Sequence, residues 1–341
     1  MKYFYNALIM SIVISILALP IGAKALTYLF SHGAFDWKNQ AFKYARENID
    51  WWGNKKERAY YIMDGPLKLF NFPDVFSCKL APRWLPKLWE MSLGQENEVV
   101  CLRKACDEIK DENVVLVGVS RGASAGVVFL GEDDPEKVKA AVLVSAYDRV
   151  STVFSHHWFT TILSIIPLVT NQSLYKFFLL VSKFKENGLH PITSIDKINK
   201  KKAILLVCSK KDGTVPYRST IDLYKKLLEA GHEKSHLLVL DSGRHAKMLK
   251  SEEAETFQNV VYSFYEHCGF LSNENDKILA KKGAKRFAQC QPDLQQVEKL
   301  LKYTPEAKKS CFESCKGWCC DTSEKMWNFG AKVLNSPFEV R

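Results

Sequence analysis

The order of apolar segments along this 341-residue chain predicts an α/β fold, with a mostly parallel sheet of about six strands and flanking helices. Three observations predict it. Short apolar runs rich in β-branched and aromatic residues alternate with stretches of helical spacing, which is the pattern of parallel strands joined by right-handed crossovers. Several of those runs, such as residues 140–144 and 203–208, are apolar throughout, as strands covered on both faces are. One strand also runs directly into Gly118-Val119-Ser120-Arg121-Gly122 and then into small residues to Gly126, a strand, a sharp turn and a helix start.

Composition bounds the rest. Hydrophobic residues make up 47% and charged residues 25%, which excludes a disordered chain. The net charge is +10 with lysines and arginines interleaved with acids, and no zinc-finger spacing or RNP-like run accompanies them. Nucleic acid is therefore not an expected partner, and a solvated basic surface facing anionic lipid is the better reading. Of the 10 cysteines, Cys208 ends an apolar strand and Cys101 and Cys106 sit in a helical pattern, so core thiols are expected there. The even count is compatible with an oxidising compartment without demanding disulfides.

In chain order, Lys2 precedes an apolar run over residues 7–19, then Pro20 and Gly22-Ala23-Lys24-Ala25, an A-x-A site. Residues 1–25 are thus expected to be a signal peptide, with an N-terminal anchor as the competitor. A membrane span of about 20 residues would have to absorb residues 26–30, and those serve the first strand, residues 25–33, ending at His32-Gly33. The expected location is secreted or extracytoplasmic, or membrane-associated if the segment is retained. A helical stretch with Phe35, Ala41, Phe42 and Tyr44 follows, then a strand over residues 59–63, a Gly65-Pro66 turn and alternation suited to another strand over residues 67–73. Asp64 and Asp74 fit turn chemistry.

A loop-like segment with Pro82, Trp84, Pro86 and Trp89 leads into helical spacing over residues 92–109, which delivers the chain to the strand before Ser120. The strand over 140–144 ends at Ser145-Ala146-Tyr147-Asp148. Residues 152–184 then change character, with Phe154, Trp158, Phe159, Ile162 and Leu163 opening a run of apolar residues at helix-like spacing. That run is expected to form either a cap over the strand ends, about residues 150–190, or a packed helical layer. His156 and His157 belong to it as cap or surface residues. The strand over 203–208 is followed by Ser209-Lys210-Lys211-Asp212-Gly213-Thr214-Val215-Pro216, and the strand over 237–240 by Asp241-Ser242-Gly243-Arg244-His245 and a helix over about 252–265. Residues 271–341 read as a basic extension with helical spacing at 294–301 and a terminal run holding Cys311, Cys315, Cys319 and Cys320. No histidine at zinc-finger spacing accompanies those thiols, so disulfides, lipid attachment or an apolar stripe compete with metal.

Glycines flanking Ser120 let strand and helix approach closely, and the helix start directs the Arg121 amide and its dipole toward an oxyanion. Ser120, Asp212 and His245 each follow a predicted strand, in the order nucleophile, acid, base. Gly118-Val119-Ser120-Arg121-Gly122, His32-Gly33, the Asp212 loop and Gly243-Arg244-His245 together resemble serine hydrolases of the α/β-hydrolase superfamily over about residues 26–270. The resemblance implies a shortened sheet lacking the first two antiparallel strands, and a second oxyanion amide from Gly33 or Ala34, although the loop His32-Gly33-Ala34-Phe35 lacks the glycine run of many lipases. It implies esterase or lipase-like acyl transfer with no metal or organic cofactor, and the apolar segment over residues 150–190 is the one clue to substrate, an apolar, lipid-like acyl group. Peptidase and thioesterase activity use the same machinery, Asp148 is the alternative acid, and a non-catalytic interaction protein acting through the basic tail is the reading from another class.

Overall fold

The computed structural model describes residues 27–31, 60–62, 93–156, 184–271 and 273–302, with Ser173, Tyr175, Lys176 and Leu179 between them. Six strands, β1 (Thr27–Ser31), β2 (Tyr60–Ile62), β3 (Val114–Val119), β4 (Val138–Val144), β5 (Ala203–Ser209) and β6 (Ser235–Leu240), form one sheet in the order β2-β1-β3-β4-β5-β6. Every neighbouring pair is parallel. Parallel strands need crossovers: α1 (Glu96–Glu108) lies between β2 and β3, α2 (Arg121–Glu132) between β3 and β4, α3 (Val150–His156) and α4 (Pro191–Ser194) between β4 and β5, and α5 (Tyr217–Glu229) between β5 and β6, while α6 (Ala254–His267), α7 (Glu274–Phe287) and α8 (Leu294–Lys302) follow β6.

Successive strand residues face opposite layers. In β3, Val114 and Leu116 join one core with Leu102, Phe129 and Leu227, whereas Val115, Val117 and Val119 join the other with Phe257, Val261 and Phe264. The same alternation splits β4 and β5, where Leu206 enters the first core and Leu205 the second. Both faces are dry, which is why these strands read as uninterrupted apolar runs.

The helix expected from residue 92 begins only at Glu96, because Leu93 and Gly94 take φ of 46° and 85°, left-handed values that a right-handed helix cannot contain. Cys106, Cys208, Cys268 and Cys290 carry free thiols, and burial pushes that of Cys208 well up. The segment before Thr27, the expected helix after Gly33, the strand over 67–73, most of the 152–184 run and the cysteine-bearing terminus lie outside the described residues. Among the described residues no helix is long and apolar enough to cross a membrane.

Residues 274–302 are built onto the sheet. The Leu237 amide donates to the Cys290 carbonyl (2.6 Å), and the Arg286 guanidinium donates to the Val239 carbonyl (2.9 Å), so the free edge of β6 is covered. Ser263 Oγ donates to the Ala280 carbonyl across the α6–α7 contact, and Val297 of α8 enters the first core. At Gly283 the two helices meet backbone to backbone, since a Cβ there would lie 2.1 Å from the Asn259 carbonyl oxygen. Gly283→Ala should therefore force α6 and α7 apart and cost about 1–3 kcal/mol. Urea unfolding monitored by circular dichroism should show a lower midpoint with an unchanged slope.

Candidate active site

Three strand ends bring the site together. In an open parallel sheet the loops at the carboxyl edge converge, most closely where the strand order reverses, and here that point lies between β1 and β3. β3 ends against the Ser31↔Gly118 register pair, and Ser120 is the first residue beyond it. Ser120 has φ 54° and ψ −119°, a conformation L residues rarely adopt. Its amide donates to the Val144 carbonyl (2.8 Å), so the turn is pinned to β4. Gly118 is required by contact: a Cβ would stand 2.6 Å from Ala123 Cα and 2.8 Å from the Gly122 carbonyl oxygen. The result is a serine held at the top of the sheet with the N-terminus of α2 behind it.

Asp212 follows β5 and His245 follows β6. Ser120 Oγ donates to His245 Nε2 at 2.8 Å, and His245 Nδ1 donates to Asp212 at 2.9 Å from Oδ2 and 3.0 Å from Oδ1. Those bonds set the tautomer, with the imidazole proton on Nδ1. Asp212 is 5% exposed, Ser120 6%, and the His245 side chain 21%, so the chain of hydrogen bonds opens to solvent at the imidazole. Oδ1 also accepts from the amides of Thr214 (2.9 Å) and Val215 (3.0 Å), and Oδ2 from Ser145 Oγ (2.8 Å). Burial alone would raise the Asp212 carboxyl, but the His245 charge and hydrogen bond and the two amides outweigh it and hold it below the ordinary value.

Asp148, the alternative acid, accepts instead from Ser219 Oγ and Thr152 Oγ1, and the carboxylate behind His245 is that of Asp212. The Arg121 amide is the first of α2, beside Ser120. Gly33 and Ala34 lie outside the described residues, as does His157. His156 Nε2 reaches the Asp212 carbonyl at 3.4 Å, which seats the end of α3 against the acid's loop. Tyr147, Val150, Phe184 and Val215 form a third apolar cluster, with Phe154, Tyr175 and Leu179 against it, over the ends of β4 and β5. Among the described residues no cluster of His, Cys, Asp and Glu is arranged to hold a metal ion.

Two contacts add to these. A serine after a strand is ordinary, so Ser145 carries no signal in the sequence, whereas Glu98 does: it stands four residues before Leu102, on the helix face that turns inward. Its carboxylate and the Arg121 guanidinium, 0% and 1% exposed, lie 3.5 Å apart beneath the turn. The arginine side chain therefore packs into α1.

A carboxyl held low in the folded chain stabilises that chain fully above its unfolded pKa of about 3.9, and the contribution is lost as pH falls through the folded value. Asp212→Asn should accordingly flatten the loss of stability below about pH 4. Urea midpoints measured against pH for both proteins check this.

The model of the prolyl oligopeptidase family matches residues 101–269, just under half of the chain. An acylaminoacyl peptidase of Pyrococcus horikoshii superposes with a TM-score of 0.50 at 14% identity, over 73% of this chain and 38% of that one. An esterase of Pyrococcus furiosus gives 0.49 and 17%, over 72% and 83%. An α/β hydrolase from lagoon sediments of Mar Chica gives 0.45 and 18%, over 73% and 94%. The chain thus spans well under half of the peptidase and most of the other two, and no curated protein matches it. The parallel sheet has the α/β-hydrolase architecture, and the family match spans the sharp turn at Ser120.

Proposed function

We propose that Ser120, His245 and Asp212 are a catalytic triad that cleaves an ester-type acyl bond through an acyl-enzyme. The observation that carries this reading is the unbroken run of hydrogen bonds from Ser120 Oγ through the imidazole to a buried carboxylate. Ser120 Oγ attacks the substrate carbonyl while His245 Nε2 takes its proton. Asp212 holds the imidazole with its proton on Nδ1 and stabilises the imidazolium that forms. The same proton then passes to the leaving alkoxide. Water, deprotonated by His245, attacks the acyl-enzyme and frees Ser120.

Negative charge on the carbonyl oxygen would be received by the Arg121 amide at the head of α2, where the helix dipole also favours it. One such donor is worth about 3 kcal/mol. The partner amide is expected from Gly33 or Ala34. The apolar cluster of Tyr147, Val150, Phe184 and Val215 beside the Asp212 loop supports an apolar, lipid-like acyl group. No cofactor enters this chemistry.

A second reading, a serine peptidase on the same three residues, is favoured by the match to the prolyl oligopeptidase family. Ester and amide substrates sharing one acyl group separate the two. The ester reading expects p-nitrophenyl acyl esters to be turned over far faster than the corresponding p-nitroanilides. In either case a fluorophosphonate probe should label Ser120, and Ser120→Ala should abolish labelling and lower kcat by at least about 10⁴-fold. An adduct that survives Ser120→Ala overturns the assignment.

A further inference from the structure

The Asp212 carboxylate is held at both oxygens, and one of its holders comes from outside the acid's own loop and the three residues proposed to do the chemistry. The amides of Thr214 and Val215 fix Oδ1 from within the acid's own loop. Oδ2 is fixed from another strand: Ser145, one residue past β4, donates its hydroxyl at 2.8 Å. Ser145 is 1% exposed and has φ 52°, a left-handed conformation that a serine adopts only when its surroundings impose it. The imposing contact is visible, since its amide donates to the Val207 carbonyl of β5 at 2.8 Å. That bond fixes the residue's backbone to the strand that delivers Asp212.

We infer that Ser145 is a positioning residue, whose hydroxyl sets the plane of the Asp212 carboxylate against His245. The inference rests on the triad proposed above. The last torsion of an aspartate is broad and roughly two-fold, so amides on one oxygen leave the other free to swing. A donor on Oδ2 removes that freedom and aligns both oxygens with Nδ1. It also replaces the water that a buried carboxylate oxygen has lost. Misorienting the base's support lowers the rate of proton transfer without touching substrate binding, so the loss belongs in kcat.

Two substitutions separate the hydroxyl from the backbone. Ser145→Ala keeps the strained φ and removes the donor, whereas Ser145→Gly removes the donor and adopts φ 52° freely. Both should lower kcat for a p-nitrophenyl ester by about 10- to 100-fold, as expected for losing a hydrogen bond to a charged group, with KM within about 2-fold. In an Asp212→Asn background Ser145→Ala should add less than about 2-fold, because a residue acting through the carboxylate has nothing left to position. Glycine restoring the wild-type kcat, a loss confined to KM, or an undiminished loss in the Asp212→Asn background would each overturn the inference. Should the alanine variant fail to fold, the glycine variant and its Asp212→Asn partner decide alone. If the probe labels Ser120 and Asp212→Asn slows that labelling while both Ser145 variants match wild type, this inference falls and the triad stands. If Ser120 takes no label, both fall.

Discussion

Taking a carboxylate out of water costs several kcal/mol unless protein donors replace its hydration, and Asp212 is 5% exposed. The chain meets that cost with four donors: the His245 imidazole, the Thr214 and Val215 amides and the Ser145 hydroxyl. Their origins explain why the rest of the fold is needed. Two amides come from the loop after β5, the hydroxyl from the end of β4 and the imidazole from the loop after β6, so the charge is satisfied only when three neighbouring parallel strands end in register. The registers Val144↔Val207 and Ser209↔Leu240 provide that alignment. A slip of one residue in any of these strands would turn its core residues to the wrong layer and withdraw a donor from the carboxylate.

Ser120 depends on the same sheet by a different route. Ser120 has no wide choice of place, because Gly118 already touches the backbone of Ala123 and Gly122. Helix α2 is pressed down against the end of β3, and its small residues Ala123, Ser124, Ala125 and Gly126 are all buried there. A strained φ at Ser120 is the consequence, and the Val144 carbonyl holds the strained peptide in place. β4 therefore serves both partners, anchoring the serine's turn through Val144 and the acid's carboxylate through Ser145. The imidazole bridges two groups whose separation the sheet has already fixed, which is why one side chain can contact both at hydrogen-bonding distance.

Much of this was legible from the residues alone. Runs such as residues 203–208 read as strands because both faces of the sheet are covered, leaving no polar alternation to obscure them. Ser120, Asp212 and His245 could be named because each follows such a run and because glycine spacing marks the sharp turn. What stayed hidden is what depends on exact approach in space. Ser145 carries no local signature: its contact with Asp212 comes from a left-handed backbone angle and from a strand pairing that only the folded sheet creates. Helix α1 starts later than the spacing of residues 92–109 predicts, because the left-handed turn at Leu93 and Gly94 is set by contacts with distant segments. Gly94 packs against Ala125, and the Leu93 carbonyl accepts from Tyr147.

The buried Glu98 and Arg121 side chains follow from the same close packing. Placing a charged pair in a dry interior gives little net stability over an apolar pair of similar volume, so thermodynamic gain does not account for it. Its effect is geometric. The arginine belongs to the turn that carries Ser120, the glutamate to α1, and separating the two would leave an uncompensated charge without water. The turn and α1 are thus constrained to move as one body. The N-terminus of α1 has two further attachments: the Gln95 side chain exchanges hydrogen bonds with the Lys185 amide and carbonyl (2.8 and 2.7 Å), and Tyr147 Oη donates to the Leu93 carbonyl (2.9 Å). Lys185 lies where the chain returns from the apolar segment after α3, and Tyr147 lies at the end of β4. One helix terminus consequently ties the Ser120 turn, Lys185 and the end of β4 to one another. A shift at any of them breaks a directional polar contact, fully buried between Glu98 and Arg121 and partly buried at Gln95 and Tyr147.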